Sequence, residues 1–172
     1  MRSSIIPTIG VLVLLAATSS SAQSPDPYFA TVGANYDLVY HETGETSGVG
    51  AHVDIAGTIK RDVPFLGAMG EIGVNHFDRG TVSDFMGGAR LRFPNASLRV
   101  LPFAQFLLGL YHCGICNVND FAIQGGGGLD FKLAASNDIR IRAQLDVRHV
   151  FDDVQGFTPV RVSAGVVFPL NR

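Results

Sequence analysis

The chain has no tryptophan and only two cysteines, and charged side chains make up just 16% of its 172 residues. Two cysteines cannot supply a disulfide-stapled scaffold or a four-sulfur metal centre. The formal net charge is −2, so the basic excess needed to neutralise a phosphate backbone is missing and nucleic acid is not an expected partner. Beyond residue 22 there is no apolar run of the ~20 residues that a membrane-crossing helix requires. Yet 47% of the residues are hydrophobic and 20 are glycine. A chain that is apolar overall, rich in glycine and without a long apolar run points to β structure.

The first 22 residues form a separate unit. Arg2 is a short basic segment, Ile5 to Ala17 is an apolar run broken by Pro7 and Gly10, and Ser20 and Ala22 supply small residues ahead of Gln23. This is the pattern of a secretory signal peptide. No cysteine follows the expected cleavage point, so a lipid-anchored N-terminus is not expected. Without Arg2, 12 basic and 15 acidic side chains remain, a net charge of −3. The expected mature domain is 23–172, the size of one domain.

Within it, Asp138 to Val150 is the plainest stretch. Ile139, Ile141, Ala143, Leu145 and Val147 alternate with Arg140, Arg142, Gln144, Asp146 and Arg148. A period of two places successive side chains on opposite faces of an extended chain. The polar face carries three arginines and an aspartate, long groups that need partners. The same pattern recurs over 28–40, 49–60, 66–76, 84–93, 99–111, 121–133 and 158–168, which makes eight strands. Pro102 lies inside the fifth and lacks a ladder donor, so pairing there should start late. An even number of alternating strands suits a closed antiparallel, up-and-down transmembrane barrel, polar inside and apolar towards lipid, with both termini at one end. A soluble lipocalin-like barrel would have the opposite polarity. The connections expected at the outer end (41–48, 77–84, 112–120, 151–157) are longer than those at the other (61–65, 94–98, 134–138). Aromatic residues gather at both ends: Tyr28, Phe93, Phe131 and Phe168 at one, Tyr40, Phe85 and Phe121 at the other.

The last strand carries a more specific signal. Ser163-Ala164-Gly165-Val166-Val167-Phe168-Pro169-Leu170 resembles the C-terminal assembly signal of bacterial outer-membrane barrels, in Gly165, Phe168 and Leu170. With its eight strands, the chain resembles the small outer-membrane β-barrel family that includes the barrel of outer membrane protein A, outer membrane protein X and the opacity proteins. The resemblance implies residence in the bacterial outer membrane, contact with its lipids and lipopolysaccharide, and recognition by the barrel assembly machinery. A monomer is expected.

The inward-facing list is the main chemical feature. Asp37, Asp54, Glu71, Asp130 and Asp146 stand against Arg90, Arg92, Lys132, Arg140, Arg142, Arg148 and Arg161. Eight strands leave an interior just wide enough for side chains to fill, so a closed ion-pair network is expected. Counting heights from the turns pairs Glu71 with Arg90, Asp130 with Arg140 or Arg142, and Asp146 with Arg161, with Asp37 near Arg161. The alternative is a narrow pore lined by cations, for small solutes.

Cys113 and Cys116 form a CxxC that, in a secreted chain, reads as a loop disulfide. With His112 they supply at most three ligands of a zinc site. Gly125 to Gly128 lacks the Lys-Ser/Thr of a phosphate loop, and close packing against a bulky neighbour accounts for it better. His149 with Asp152 and Asp153 is the one local hint of a lipid-modifying enzyme, and an exposed loop is the better reading. The outer connections are acidic, holding Glu42, Glu45, Asp78, Asp84, Asp120, Asp152 and Asp153 against Arg79 alone. Beside anionic lipopolysaccharide such carboxylates would be repelled unless divalent cations bridge them, and ordinary solvated loop charge is the plainer reading. The expectation is an outer-membrane barrel with a structural or surface-interaction role, a salt-bridged lumen, no cofactor, no metal and no catalysis.

Overall fold

Strict alternation over a dozen residues leaves each strand with one apolar and one polar edge, and closing the sheet satisfies both. A computed structural model describes residues 28–41, 44–60, 63–78, 80–93, 99–133, 139–152 and 156–170. The expected signal peptide, Glu42, Arg79 and Asp153 lie outside them. Eight strands follow in order: β1 (Tyr28–His41), β2 (Gly44–Lys60), β3 (Val63–Phe77), β4 (Gly80–Arg92), β5 (Val100–Cys113), β6 (Val118–Lys132), β7 (Arg140–Phe151) and β8 (Pro159–Pro169). Each pairs antiparallel with the next and β8 closes on β1. Following paired residues from Tyr28 through Gly57, Ala68, Ala89, Phe106, Gly125, Val147 and Val160 returns to β1 at Leu38, ten residues further on. The strands are therefore steeply tilted, as closure of eight strands demands.

The exterior is apolar. Val32, Val53, Ile55, Ile72, Val74, Leu108, Leu145 and Val162 are all about half exposed. Tyr28, Phe65, Phe93, Phe131 and Phe168 ring the end that holds both termini; Tyr40, Phe85, Phe121 and Phe151 ring the distal end. A belt of this kind between aromatic girdles suits hydrocarbon and not water. Pro102 sits within β5, and the ladder with β4 begins beside it at Phe103, while pairing with β6 already starts at Val100.

The connections differ from the sequence expectation. At the distal end they are only 42–43, 78–79, 114–117 and 152–158, against 61–62, 93–99 and 133–139 at the terminal end. The distal set is not the longer one. Strand pairing continues through segments whose polar residues read as loop, because the polarity of the two faces changes near the distal end. There the outside carries Thr81, His76, His112, Asn119, His149 and Thr158, joined across strands as His76–Thr81 (3.2 Å), His112–Asn119 (3.0 Å) and His149–Thr158 (2.9 Å). The inside carries Val39, Phe77, Val82, Tyr111 and Val150, all buried. Above the lipid belt the barrel thus has the polarity of a soluble one.

Candidate functional site

The lumen is built in three layers. In the middle, inward positions of all eight strands contribute polar groups that meet across the axis. Asp54 (β2) accepts from Arg90 of β4 at 3.1 Å and from Arg142 of β7 at 3.0 Å. Arg142 also grips Asp130 of β6 with two bonds of 2.7 and 3.0 Å and donates to Thr31 at 2.9 Å. Gln105 of β5 links this group to the next, accepting from Arg90 at 2.6 Å and donating to Asp146 at 3.0 Å. Arg161 (β8) bridges Asp146 at 3.0 Å and Glu71 at 2.7 Å. Arg148 reaches Asp84 at 3.0 Å, Glu71 at 3.9 Å and Gln124 at 2.8 Å. Asn75 donates to Asp84 at 3.2 Å, and Asn35 bonds both Asn75 and Asp37.

These groups are almost wholly removed from solvent, with Asp54, Asp84 and Asp146 at 0% and Arg90 and Arg142 at 1%. Charges so placed are tolerable only when opposed and hydrogen-bonded. Arginine serves here because its planar fork binds two acceptors at once and its face stacks on aromatic rings. Arg90 and Arg142 lie 4.8 and 4.6 Å from the centre of the Phe103 ring, and Arg92 lies 3.5 Å from that of Phe29. Each such contact adds about 0.5–2 kcal/mol.

Apolar layers stand at either end of the charged one. Phe29, Ala56, Met69, Phe103 and Val167 lie on the terminal side, and Val39, Phe77, Val82, Tyr111, Ala122 and Val150 on the distal side. The glycines of β6 make room for the middle layer. A Cβ on Gly126 would collide with the Asp146 carboxylate, and one on Gly128 would meet the Phe103 ring at 2.9 Å, whereas Gly125 faces outward into open space. Close packing, and not phosphate binding, is what the glycine run provides.

Several sequence expectations need correction. Glu71 does not pair with Arg90: the residue opposite it on β4 is Met86, and Arg90 lies opposite Gly67, four residues nearer the terminal end. Asp37 lies opposite Arg161 in register, and Asn35 donates to it at 3.2 Å. Lys132 is exposed at the terminal rim and stands outside the network, while Arg140 beside it is buried and Arg92 is half-buried over Phe29. Asp84, which the sequence assigns to an outer connection, is a fully buried lumen residue. Its neighbours Thr81 and Ser83 gave the segment the composition of a turn.

Cys113 and Cys116 are free thiols rather than a disulfide. Cys113 is the last ladder residue of β5, and its sulfur accepts the Cys116 N–H at 3.2 Å. The turn is closed by Asn117 N–H on the Cys113 carbonyl (2.8 Å) and tied to β4 by Gly114 N–H on the Thr81 carbonyl (3.0 Å). Hydrogen bonds hold the turn in the place of an S–S link. His112 points outward to Asn119 while Cys113 points inward, and among the described residues no group of three or more His, Cys, Asp or Glu could hold a metal. His149 bonds Thr158 and packs edge-on against Phe151 at 4.5 Å, on the face opposite to Asp152. At the C-terminal signal, Phe168 faces outward in the terminal girdle, Gly165 faces inward opposite Gly33, and Leu170 N–H bonds the Tyr28 carbonyl at 3.1 Å.

No protein-family model and no curated protein sequence matches this chain. Solved structures do. Neisserial surface protein A superposes with a TM-score of 0.67 at 12% identity, over 83% of this chain and 97% of that one. The N-terminal β-barrel domain of Pseudomonas aeruginosa OprF superposes with a TM-score of 0.51 at 14% identity, over 81% and 97%. The fold is that of the small outer-membrane β-barrels.

Proposed function

From this fold we propose that the chain is a structural and surface-interaction protein of the outer membrane, non-conducting and non-catalytic, with its distal end towards the outside. The observation that carries the reading is the layered lumen. Arg90, Arg142, Arg148 and Arg161 reach acids on strands that are not their neighbours, and apolar side chains occupy both ends of the same passage. A hydrated ion would have to displace paired charges to pass. An apolar belt between aromatic girdles suits a lipid surrounding, and lipopolysaccharide would meet the histidine-bearing collar above Phe85, Phe121 and Phe151. Gly165, Phe168 and Leu170 are where the assembly machinery would read the last strand.

Purified barrel reconstituted in a planar bilayer tests this. Silence at all voltages is expected, with the protein shown to be inserted by its heat-modifiable gel migration. Discrete conductance steps that vanish when Gly126 is enlarged would establish the narrow-pore reading instead. That rival draws on inward polar atoms left unpaired in the lumen, among them Arg161 Nη1, Gln124 Nε2 and both ring nitrogens of His52, each a place where water could sit.

A further inference from the structure

The only two cysteines of the chain stand four positions apart at the distal mouth. Above the charged layer Val82, Tyr111, Ile115 and Val118 line a cavity of about 460 Å³, and Cys113 and Cys116 both open on it. Cys113 is half-buried and Cys116 exposed. The residues paired with Cys113 are Val82 on β4 and Val118 on β6, so its cross-strand neighbours are apolar. Cys116 meets the Cys113 sulfur twice: its N–H donates at 3.2 Å, and its thiol shares a hydrogen bond with it.

The turn holds this arrangement without an S–S link. Asn117 takes a left-handed conformation, φ 53°, which asparagine adopts more readily than most residues. Its N–H closes the turn on the Cys113 carbonyl at 2.8 Å. Gly114 N–H bonds the Thr81 carbonyl of β4 at 3.0 Å, and Ile115 lies so close to Gly80 that a Cβ there would collide with it. The two sulfurs are thus presented side by side on a turn that is fastened to β4.

The donor set selects the ligand. The other sulfurs of the expected mature domain, those of Met69 and Met86, are buried in the lumen. His112 is turned outward to Asn119 at 3.0 Å. Asp120 and Asp152 line the same cavity but have contacts of their own, and as hard oxygen donors they are not counted as ligands. Among the described residues no third ligand joins the pair, whereas a zinc site needs four. Thiolate sulfur selects soft ions such as Cu(I), and a soft monovalent ion is satisfied by two such ligands.

We propose that Cys113 and Cys116 form a capture site for a soft, two-coordinate monovalent cation, Cu(I) or Ag(I), held between their two sulfurs at the outer mouth. The ion enters as both thiol protons leave, and its oxidation state does not change. The site does not depend on whether the lumen conducts.

The test uses the whole barrel, isolated without reductant and placed one per lipid nanodisc with oxygen excluded. Cu(I) is offered as its bicinchoninate complex, and Ag(I) and Zn(II) as simple salts. One equivalent of Cu(I) is expected to pass from the chelator to the barrel, with release of two protons and a new ultraviolet sulfur-to-metal band. Both cysteines should become protected from N-ethylmaleimide together, and Ag(I) should give the same protection. Zn(II) in large excess should neither protect the thiols nor displace Cu(I). Cys113→Ser and Cys116→Ser should each weaken capture by about hundredfold, or about 2.8 kcal/mol; Cys116, exposed in the turn, keeps the comparison should the first variant fail to fold. Protection of one thiol alone, undiminished capture by either serine variant, or equal binding of Zn(II) would overturn the two-sulfur site. So would a Cys113–Cys116 disulfide in the protein as isolated, because the site requires both thiols free.

Discussion

Asp54 is the point at which the interior arrangement is most exposed to test. Its carboxylate lies between the guanidinium groups of Arg90 and Arg142, at 3.1 and 3.0 Å, with no solvent access. Asp54→Asn keeps the shape and removes the charge. Arg142 would keep its two bonds to Asp130 and its bond to Thr31. Arg90 would keep only the neutral oxygen of Gln105 and would face Arg142 across an uncharged amide. Breaking one member of a buried pair costs about 3–5 kcal/mol; because asparagine still offers an oxygen, the expected loss lies near the lower limit. Arg90→Met in the same chain removes the stranded charge, so the double variant should be more stable than the sum of the single losses by about 2–3 kcal/mol. Guanidinium unfolding in lipid vesicles, read by circular dichroism and gel migration because the chain has no tryptophan, measures all corners of the cycle. A single-variant loss under about 1 kcal/mol, or strict additivity with Arg90→Met, would refute the account of these charges as a desolvated, mutually dependent set.

Three further outcomes follow from the same geometry. Glu71→Gln should couple to Arg161→Met by about 1–3 kcal/mol and be additive with Arg90→Met in the same unfolding assay; coupling to Arg90 instead would mean that the lumen is assembled differently. Gly126→Ala pushes a methyl group into the Asp146 carboxylate and should cost about 1–3 kcal/mol, whereas Gly125→Ala faces open space and should change stability by less than about 0.5 kcal/mol; equal effects would argue that the strand register is off by one. Cys113 and Cys116 should both be alkylated without prior reduction, as mass spectrometry would show. The hydrogen-bonded Cys113 sulfur, with Asp120 and Asp152 nearby, holds the Cys116 thiol above the ordinary range. A raised thiol pKa means less thiolate at neutral pH, so its reaction with iodoacetamide should be slow at pH 7, rise late with pH, and speed up in Cys113→Ala; a profile like that of a free thiol would contradict this.

The fold was legible because barrel closure and two-residue alternation constrain each other. Once Arg140, Arg142, Asp146 and Arg148 share a face on β7, the register of every neighbour decides whether charges meet or stand in lipid, and a slip of one residue would turn the whole set outward. Heights were not legible, and the reason is tilt. Counting from the turns treats strands as upright, so Glu71 and Arg90 come out level. The strands are tilted, with a ten-residue offset around the barrel; the residue opposite Glu71 on β4 is Met86, and its cation comes from β8 across the axis. In a lumen one side chain wide, the strand opposite is as near as the strand beside, a proximity that no reading along the chain contains. The distal mouth was hidden by another effect. The sign of the alternation reverses where the barrel leaves the lipid belt: Val82 turns inward and Thr81 outward, and a stretch that keeps its period while changing the polarity of each face resembles a loop when only polarity is read. The reversal also explains why the cavity is there. Below it, polar side chains are satisfied only by turning inward, because outward positions meet hydrocarbon; above it, outward positions meet water and take the polar groups, and the inward face is released to be apolar. A barrel whose strands outrun the membrane acquires an apolar chamber at its outer end by the same rule that makes its centre charged.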